Sequence, residues 1–201
     1  TEDQQMFYDT VRRFADKELA ADAAKRAMDS HFPHDVARKA ADLGLIGITF
    51  DEKDGGAGGT LIEAILAIQA VALSCPRSAD VVQAGNFGPI RTFYEYASPR
   101  HKEKYLKGLM TGDKVISLGM SEPEAGSAVT ELKTTAVEDG DHYIINGTKV
   151  FGTHSAEADL YLVYVRFGPG VGGIGSVLIE KGTPGLRVGK PTAFMNGEDW
   201  A

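Results

Sequence analysis

Hydrophobic positions change their spacing once along the chain, near Gly112-Asp113. Before that point they recur at i, i+3 and i+4, as on the inward face of a helix; after it they alternate, as in half-buried strands. Thr1-x-x-Gln4 reads as a capping box, and Met6, Phe7, Val11, Phe14 and Leu19 follow on one face, which predicts a first helix over residues 2–27, broken by Phe32-Pro33. Val36, Ala40 and Leu43 predict a short second helix ended by Gly44, and residues 46–50 a brief extended run. Residues 61–73 are apolar on most faces, the pattern of a buried helix. A longer helix over 79–96 is weakened near its middle by Gly85, Gly88 and Pro89, and Ser98-Pro99 caps another through Met110. Strands are predicted at 115–120, 132–137, 143–151, 160–167, 174–179 and 186–188. Glu138-Asp-Gly-Asp141 is a hairpin turn, and Asn146-Gly147 a second turn or bulge. The expected fold is α+β: an all-α N-terminal domain over 1–113, then an antiparallel β-barrel or sandwich over 114–201.

Composition narrows the class without naming a function. The chain has 201 residues, 43% of them hydrophobic and 24% charged, as in an ordinary globular protein. A net charge of -7 argues against a general nucleic-acid binder, which needs clustered Lys and Arg. The run Lys102, Lys104, Lys107 reads as a solvated helix face. Cys75 is the only cysteine, so no internal disulfide forms; it reads as a small buried residue before Pro76. The five histidines do not cluster at metal-ligand spacing, and no metal site is expected. No stretch reads as a signal peptide, and no apolar run approaches the ~20 residues of a membrane span. The expected location is the cytoplasm, or an organelle matrix in a eukaryote.

Two glycine-containing stretches deserve comparison with a third. Asp51-Glu-Lys-Asp-Gly-Gly-Ala-Gly-Gly59 lacks the Lys-Ser/Thr ending of a phosphate-binding loop and carries three acids, so it reads as a structural turn. Ser117-Leu-Gly-Met-Ser-Glu-Pro-Glu-Ala-Gly-Ser-Ala128 is different: a strand stops at Pro123, which has no N–H to give, and small residues follow, letting a backbone approach a ligand closely. Thr148-Lys-Val-Phe-Gly-Thr-His-Ser155 ends a strand with Phe151 and Thr153 at i+2, which predicts an aromatic face and a hydroxyl on one side. Each is weak alone. Together, in this order and about one hairpin apart, they suit a flat polar cofactor.

The whole chain resembles the N-terminal and middle domains of the acyl-CoA dehydrogenase family. The resemblance lies in Ser121-Glu-Pro-Glu-Ala-Gly-Ser-Ala128, Gly140-Asp-His-Tyr-Ile-Ile-Asn-Gly-Thr-Lys149 and Val150-Phe-Gly-Thr153. It implies an enzyme that uses FAD to oxidise an acyl-CoA thioester to the trans-2-enoyl-CoA, with the flavin between the strand domain and helices. Carried over by position, Leu118, Gly119, Met120, Ser121, Gly126, Ser127, Phe151, Gly152 and Thr153 would bind the cofactor. Ser127 would touch both FAD and the CoA part of the substrate, and Asn86, Phe87 and Ile90 would meet the substrate from the weakened helix, whose interruption reads either as tolerance or as a slot for an acyl chain. The resemblance also implies electron-transfer flavoprotein as electron acceptor and a homotetramer or homodimer.

The chain departs from the family pattern at Leu118, Glu124, Ala128 and His154, where an aromatic, Gly, Asp and Asn are commoner. Glu124 is expected to face solvent; His154 reads either as a surface residue or as a proton-responsive neighbour of the site. In the family a C-terminal helical bundle supplies the catalytic base, so no residue here is assigned as catalytic. The last residues, Asn196 to Ala201, are expected to lie within the final strands of the middle domain, with Glu198 and Asp199 on the wrong element to be the base. The chain alone is expected to bind FAD poorly and turn over nothing. Alternatives are an acyl-CoA oxidase, a nitroalkane oxidase or a flavin monooxygenase on the same scaffold, or a non-catalytic assembly module.

Overall fold

A computed structural model describes residues 1–192; the predictions for Asn196 to Ala201, Glu198 and Asp199 included, lie outside them. The chain divides into a helical unit, Thr1–Lys114, and a second unit from Val115 onward.

In the helical unit, α1 (Glu2–Glu18) starts on the predicted capping box, with Thr1 and Gln4 bonded reciprocally. It ends at Leu19, well before Phe32-Pro33, and α2 (Ala23–Ala27) is a separate short helix. The long predicted helix is therefore two. The second helix, α3 (His34–Asp42), buries Val36, Ala37 and Ala40 and stops before Gly44, whose φ of 69° is left-handed.

The predicted extended run after it is a turn-rich loop instead. Leu45, Ile46, Ile48 and Phe50 are all buried there. A loop can be buried only if its backbone polar groups find partners, and Asn86 supplies them. Its amide oxygen accepts from the Ile48 N–H at 2.7 Å, and its amide nitrogen donates to the carbonyls of Leu45 and Val82, both at 2.8 Å. The glycine-rich segment that follows is a structural turn, as read. One turn of 3-10 helix, Glu52–Asp54, ends on left-handed Gly55, and a side chain at Gly56 would collide with the Phe50 carbonyl.

The next helix, α4 (Leu61–Ala72), overturns an expectation. It buries Ala64, Ala67, Ala70 and Val71, while Leu61, Ile62, Ile65 and Leu73 are each more than half exposed. The small residues let α1 and α5 (Pro76–Ala84) approach closely, so the bulky ones are left on the outside. Arg12 and Ser74 tie α1 to this region, through the Ala70 carbonyl and Asp16. Cys75 is fully buried before Pro76, as expected, and its sulfur accepts from Ser78 Oγ at 3.1 Å.

The predicted helix over 79–96 is likewise two elements, α5 and α6 (Pro89–Tyr96). Gly88 sits between them at φ 67°, which a helix cannot hold, and Pro89 then starts α6, where its missing N–H is harmless. The last helix, α7 (Pro99–Met110), starts on Ser98 as expected.

The second unit holds β1 (Ile116–Gly119), β2 (Thr135–Asp139), β3 (His142–Asn146), β4 (Leu160–Arg166) and β5 (Ile174–Glu180). The β2–β3 hairpin turns at Gly140, φ 66°, as predicted. No strand forms at 186–188. The sheet is mixed rather than antiparallel, which corrects the expected fold. β4 pairs antiparallel with β5 along its whole length, so its other edge must serve both remaining partners, β1 at Leu160–Val163 and β2 at Arg166. Both of those pairings are parallel, because the chain leaves β1, makes the hairpin and returns to β4 in the β1 direction. β4 is flanked on both edges and is also buried on both faces, at Leu160, Tyr161, Leu162, Val163 and Val165.

Candidate functional site

The two stretches singled out in the sequence lie side by side in the second unit. The Val150 N–H donates to the Ser121 carbonyl at 2.9 Å, and Ser117 Oγ to the Thr153 carbonyl at 2.8 Å. A side chain on Gly152 would come within 3.6 Å of the Leu118 carbonyl. Residues 150–153 thus run against 117–121 in the opposite sense. Ser117 itself is buried, so its hydroxyl acts as a fastener rather than as a ligand.

The predicted strand geometry of the second stretch is wrong in one respect. β3 ends at Asn146, and Phe151 has φ 57°, so the i+2 alternation that was to align Phe151 with Thr153 does not apply. A left-handed conformation in a bulky residue costs about 1–2 kcal/mol, yet the Phe151 ring is 63% exposed. His154 is also left-handed, at φ 59°, and buried, which excludes the surface reading. Histidine tolerates this region better than most residues.

On the other stretch, Leu118, Gly119, Met120 and Ser121 are half-buried at the end of β1. Pro123 then makes the turn expected of it, with Glu122 and Ala125 exchanging backbone hydrogen bonds at 3.0 and 3.1 Å. Gly126 and Ser127 follow, both exposed. Glu124 faces solvent as expected, paired with Lys133.

Sequence reasoning gave no role to the charged pair that lies beneath these stretches. Lys149 Nζ is 2.7 Å from Glu122 Oε1, with side chains only 14% and 6% exposed. The carboxylate also accepts from the Lys133 and Thr134 N–H groups, at 2.6 and 2.9 Å, and from Thr134 Oγ1. Burial pushes the Glu122 carboxyl up, but the hydrogen bonds from Lys149, Thr134 and the two backbone amides outweigh it and hold it at about 2. Lys149 Nζ donates in addition to the Met120 carbonyl at 3.1 Å. The signal was present, since both residues stand in the motifs that carry the family resemblance.

These residues fit a flat, partly polar group. An exposed aromatic ring is held in a costly conformation by fastened neighbours, and such strain persists where the surroundings over-determine it. Gly126 has neither a positive φ nor any atom within 4 Å of where a side chain would start, so the protein's own packing does not require glycine there. The Ser121 N–H makes no hydrogen bond among the described residues.

The expected substrate residues fare differently. Asn86 and Ile90 are buried in the helical unit, and both amide donors of Asn86 are spent, one on the Leu45 carbonyl of the loop and one on the Val82 carbonyl of α5, so neither offers a surface to a ligand. Phe87 is half-buried. A depression of about 550 Å³ in the same unit is bounded by Lys53, Lys102 and Lys107 and, in balance, by Asp42, Asp54 and Glu103; it contains none of the predicted site residues. No cluster of metal-ligating side chains occurs among the described residues, and no described helix is long and apolar enough to cross a membrane.

Comparison with known proteins identifies the family. The chain is 33% identical over 192 residues to the short-chain specific acyl-CoA dehydrogenase of Clostridium acetobutylicum, covering 94% of this chain and 51% of that protein. It is 37% identical over 194 residues to the mitochondrial isobutyryl-CoA dehydrogenase of Dictyostelium discoideum, covering 94% and 46%. The solved structure of PigA with FAD and proline superposes with a TM-score of 0.90 at 28% identity, over 100% of this chain and 54% of that one. The chain thus spans about half the length of the curated relatives it matches. Residues 1–113 match the family model for the acyl-CoA dehydrogenase N-terminal domain and residues 117–199 that for the middle domain, so the motifs first noticed as a resemblance place this chain in the acyl-CoA dehydrogenase family.

Proposed function

We propose that the protein is an FAD-dependent acyl-CoA dehydrogenase and that this chain provides one wall of its flavin site. The observation that carries the reading is the fastening of 150–153 to 117–121, with the Phe151 ring left exposed in a strained conformation. When bound, FAD supplies the acceptor for the hydride that leaves the substrate β-carbon as the α-proton is lost to a base.

Each residue of the wall has a separable task. Phe151 offers a face for ring stacking, and Leu118 and Met120 offer apolar contact at the strand end. The Ser121 N–H and hydroxyl and the Thr153 hydroxyl are donors at the edge of that surface, where negative charge on a reduced ring would be stabilised. Gly119, Gly126 and Gly152 keep side chains out of the way, and Ser127 stands exposed where a ligand's polar extension could be held. No carboxylate of this chain is assigned as the base. An acyl-CoA substrate, electron-transfer flavoprotein as acceptor and a homo-oligomeric assembly belong to the same proposal, as does a location in the cytoplasm or an organelle matrix.

The full-length protein should be yellow when purified. Its visible flavin band should bleach when an acyl-CoA is added without oxygen; a protein that cannot take up FAD refutes the reading. A second reading, a related flavoprotein acting on another substrate, draws on the likeness to PigA with FAD and proline. Rapid peroxide formation in air, with no anaerobic bleaching by acyl-CoA, would favour it.

A further inference from the structure

We propose that Lys149 is a positioning residue: its ammonium, anchored by Glu122, sets the plane of the Met120–Ser121 peptide and so aims the Ser121 N–H at the ligand. The inference rests on the flavin reading above and assigns that site a residue which touches no ligand.

In a planar trans peptide the C=O and N–H point in opposite directions. Lys149 Nζ draws the Met120 carbonyl inward at 3.1 Å, so the N–H of the next residue, Ser121, must point outward. That N–H has no partner among the described residues. On its other side Ser121 is held by its own carbonyl, which accepts from Val150 N–H at 2.9 Å, so the peptide cannot swing to follow a departing ligand.

A purely stabilising role for Lys149 explains less. Buried ion pairs contribute little net stability, because desolvation offsets the attraction. Glu122 would also keep its donors from Lys133 and Thr134 without the lysine. What Lys149 alone supplies is the donor to Met120 C=O. The stem is placed for this, with its Cγ lying 3.3 Å from where a Gly119 side chain would begin. Glu122 in turn fixes the ammonium at 2.7 Å, which a solvated lysine would not maintain.

The test uses the full-length protein titrated with FAD. Lys149→Met should bind FAD about tenfold more weakly, or worse, the scale of one lost hydrogen bond to the ligand. At saturating FAD its visible flavin band should also shift, because a donor to the ring has moved. Lys149→Arg, which can still donate to Met120 C=O, should recover most of the affinity. Removing the lysine alone leaves a buried carboxylate, so Glu122→Gln combined with Lys149→Met decides the matter should the single variant fail to fold. This pair has no buried charge, and it should unfold at a temperature no lower than that of Glu122→Gln alone, which strands the Lys149 ammonium, yet bind FAD as weakly as Lys149→Met. Unchanged affinity and an unshifted band in a folded variant would overturn the proposal while leaving the flavin reading intact. Failure of the unsubstituted protein to take up FAD would overturn both.

Discussion

Ser117 Oγ donates to the Thr153 carbonyl at 2.8 Å from a position that is 1% exposed, so a buried hydroxyl on β1 fixes the far end of the segment that carries Phe151. Ser117→Ala should cost about 1 kcal/mol of stability, since the Thr153 carbonyl loses its donor. Binding should suffer as well: Thr153 is freed to move, and FAD affinity should fall beyond what the loss of stability accounts for. Parallel denaturant unfolding and FAD titration would compare the two effects.

The Phe151 backbone offers a test of strain. Asn accepts the left-handed region more readily than a bulky aromatic residue, and the exposed ring contributes little to packing within the unit. Phe151→Asn should therefore raise the stability of the FAD-free protein by about 1 kcal/mol and weaken FAD binding. A variant less stable without FAD would show that the ring is held by the protein rather than kept for a ligand.

Acid should reach the site through Glu122. Its carboxyl is held at about 2 against an ordinary 4.5, so the group's contribution is complete above about 4.5 and is lost as pH falls towards 2. The linked stability is about 3 kcal/mol at most. Glu122→Gln should be less stable at neutral pH, and its stability should fall less steeply over that acid window. Urea unfolding across the same pH range checks both statements.

Asn86→Ala separates a structural residue from a substrate contact. Truncation leaves the Ile48 N–H and the Leu45 carbonyl of the buried loop, and the Val82 carbonyl of α5, without their partner. A loss of about 3 kcal/mol is expected. The loss should be the same with and without ligand, as measured by thermal unfolding; a normal unfolding midpoint with a raised KM for acyl-CoA would restore Asn86 to the substrate site.

The helices and strands were legible where one local rule decided them. Thr1-x-x-Gln4 named its helix start, Ser98-Pro99 another, and Gly140 its hairpin, because caps and tight turns depend on a few adjacent residues. The rest depended on partners far along the chain. Residues 46–50 look like a strand, but Asn86, some forty residues later, supplies the bonds that let them turn while buried. The α4 pattern was apolar all round, and only the packing revealed that Ala64, Ala67 and Ala70 face inward and Leu61, Ile62 and Ile65 outward. Parallel pairing of β1 with β4 could not be read from alternation, which is the same in either direction. At the site, the two stretches were identifiable by their residues; the left-handed Phe151 and the Glu122–Lys149 pair were not, since both arise from contacts between the stretches.

The central claim, that 117–121 and 150–155 form one flavin-facing wall, is tested most directly by amide hydrogen exchange on the full-length protein with and without FAD. Exchange should slow in both segments together on FAD addition, with the Ser121 amide among the most protected, and the charge-balanced depression near Lys53 and Lys107 should be unaffected. FAD binding that leaves both segments exchanging at their ligand-free rates would contradict the account.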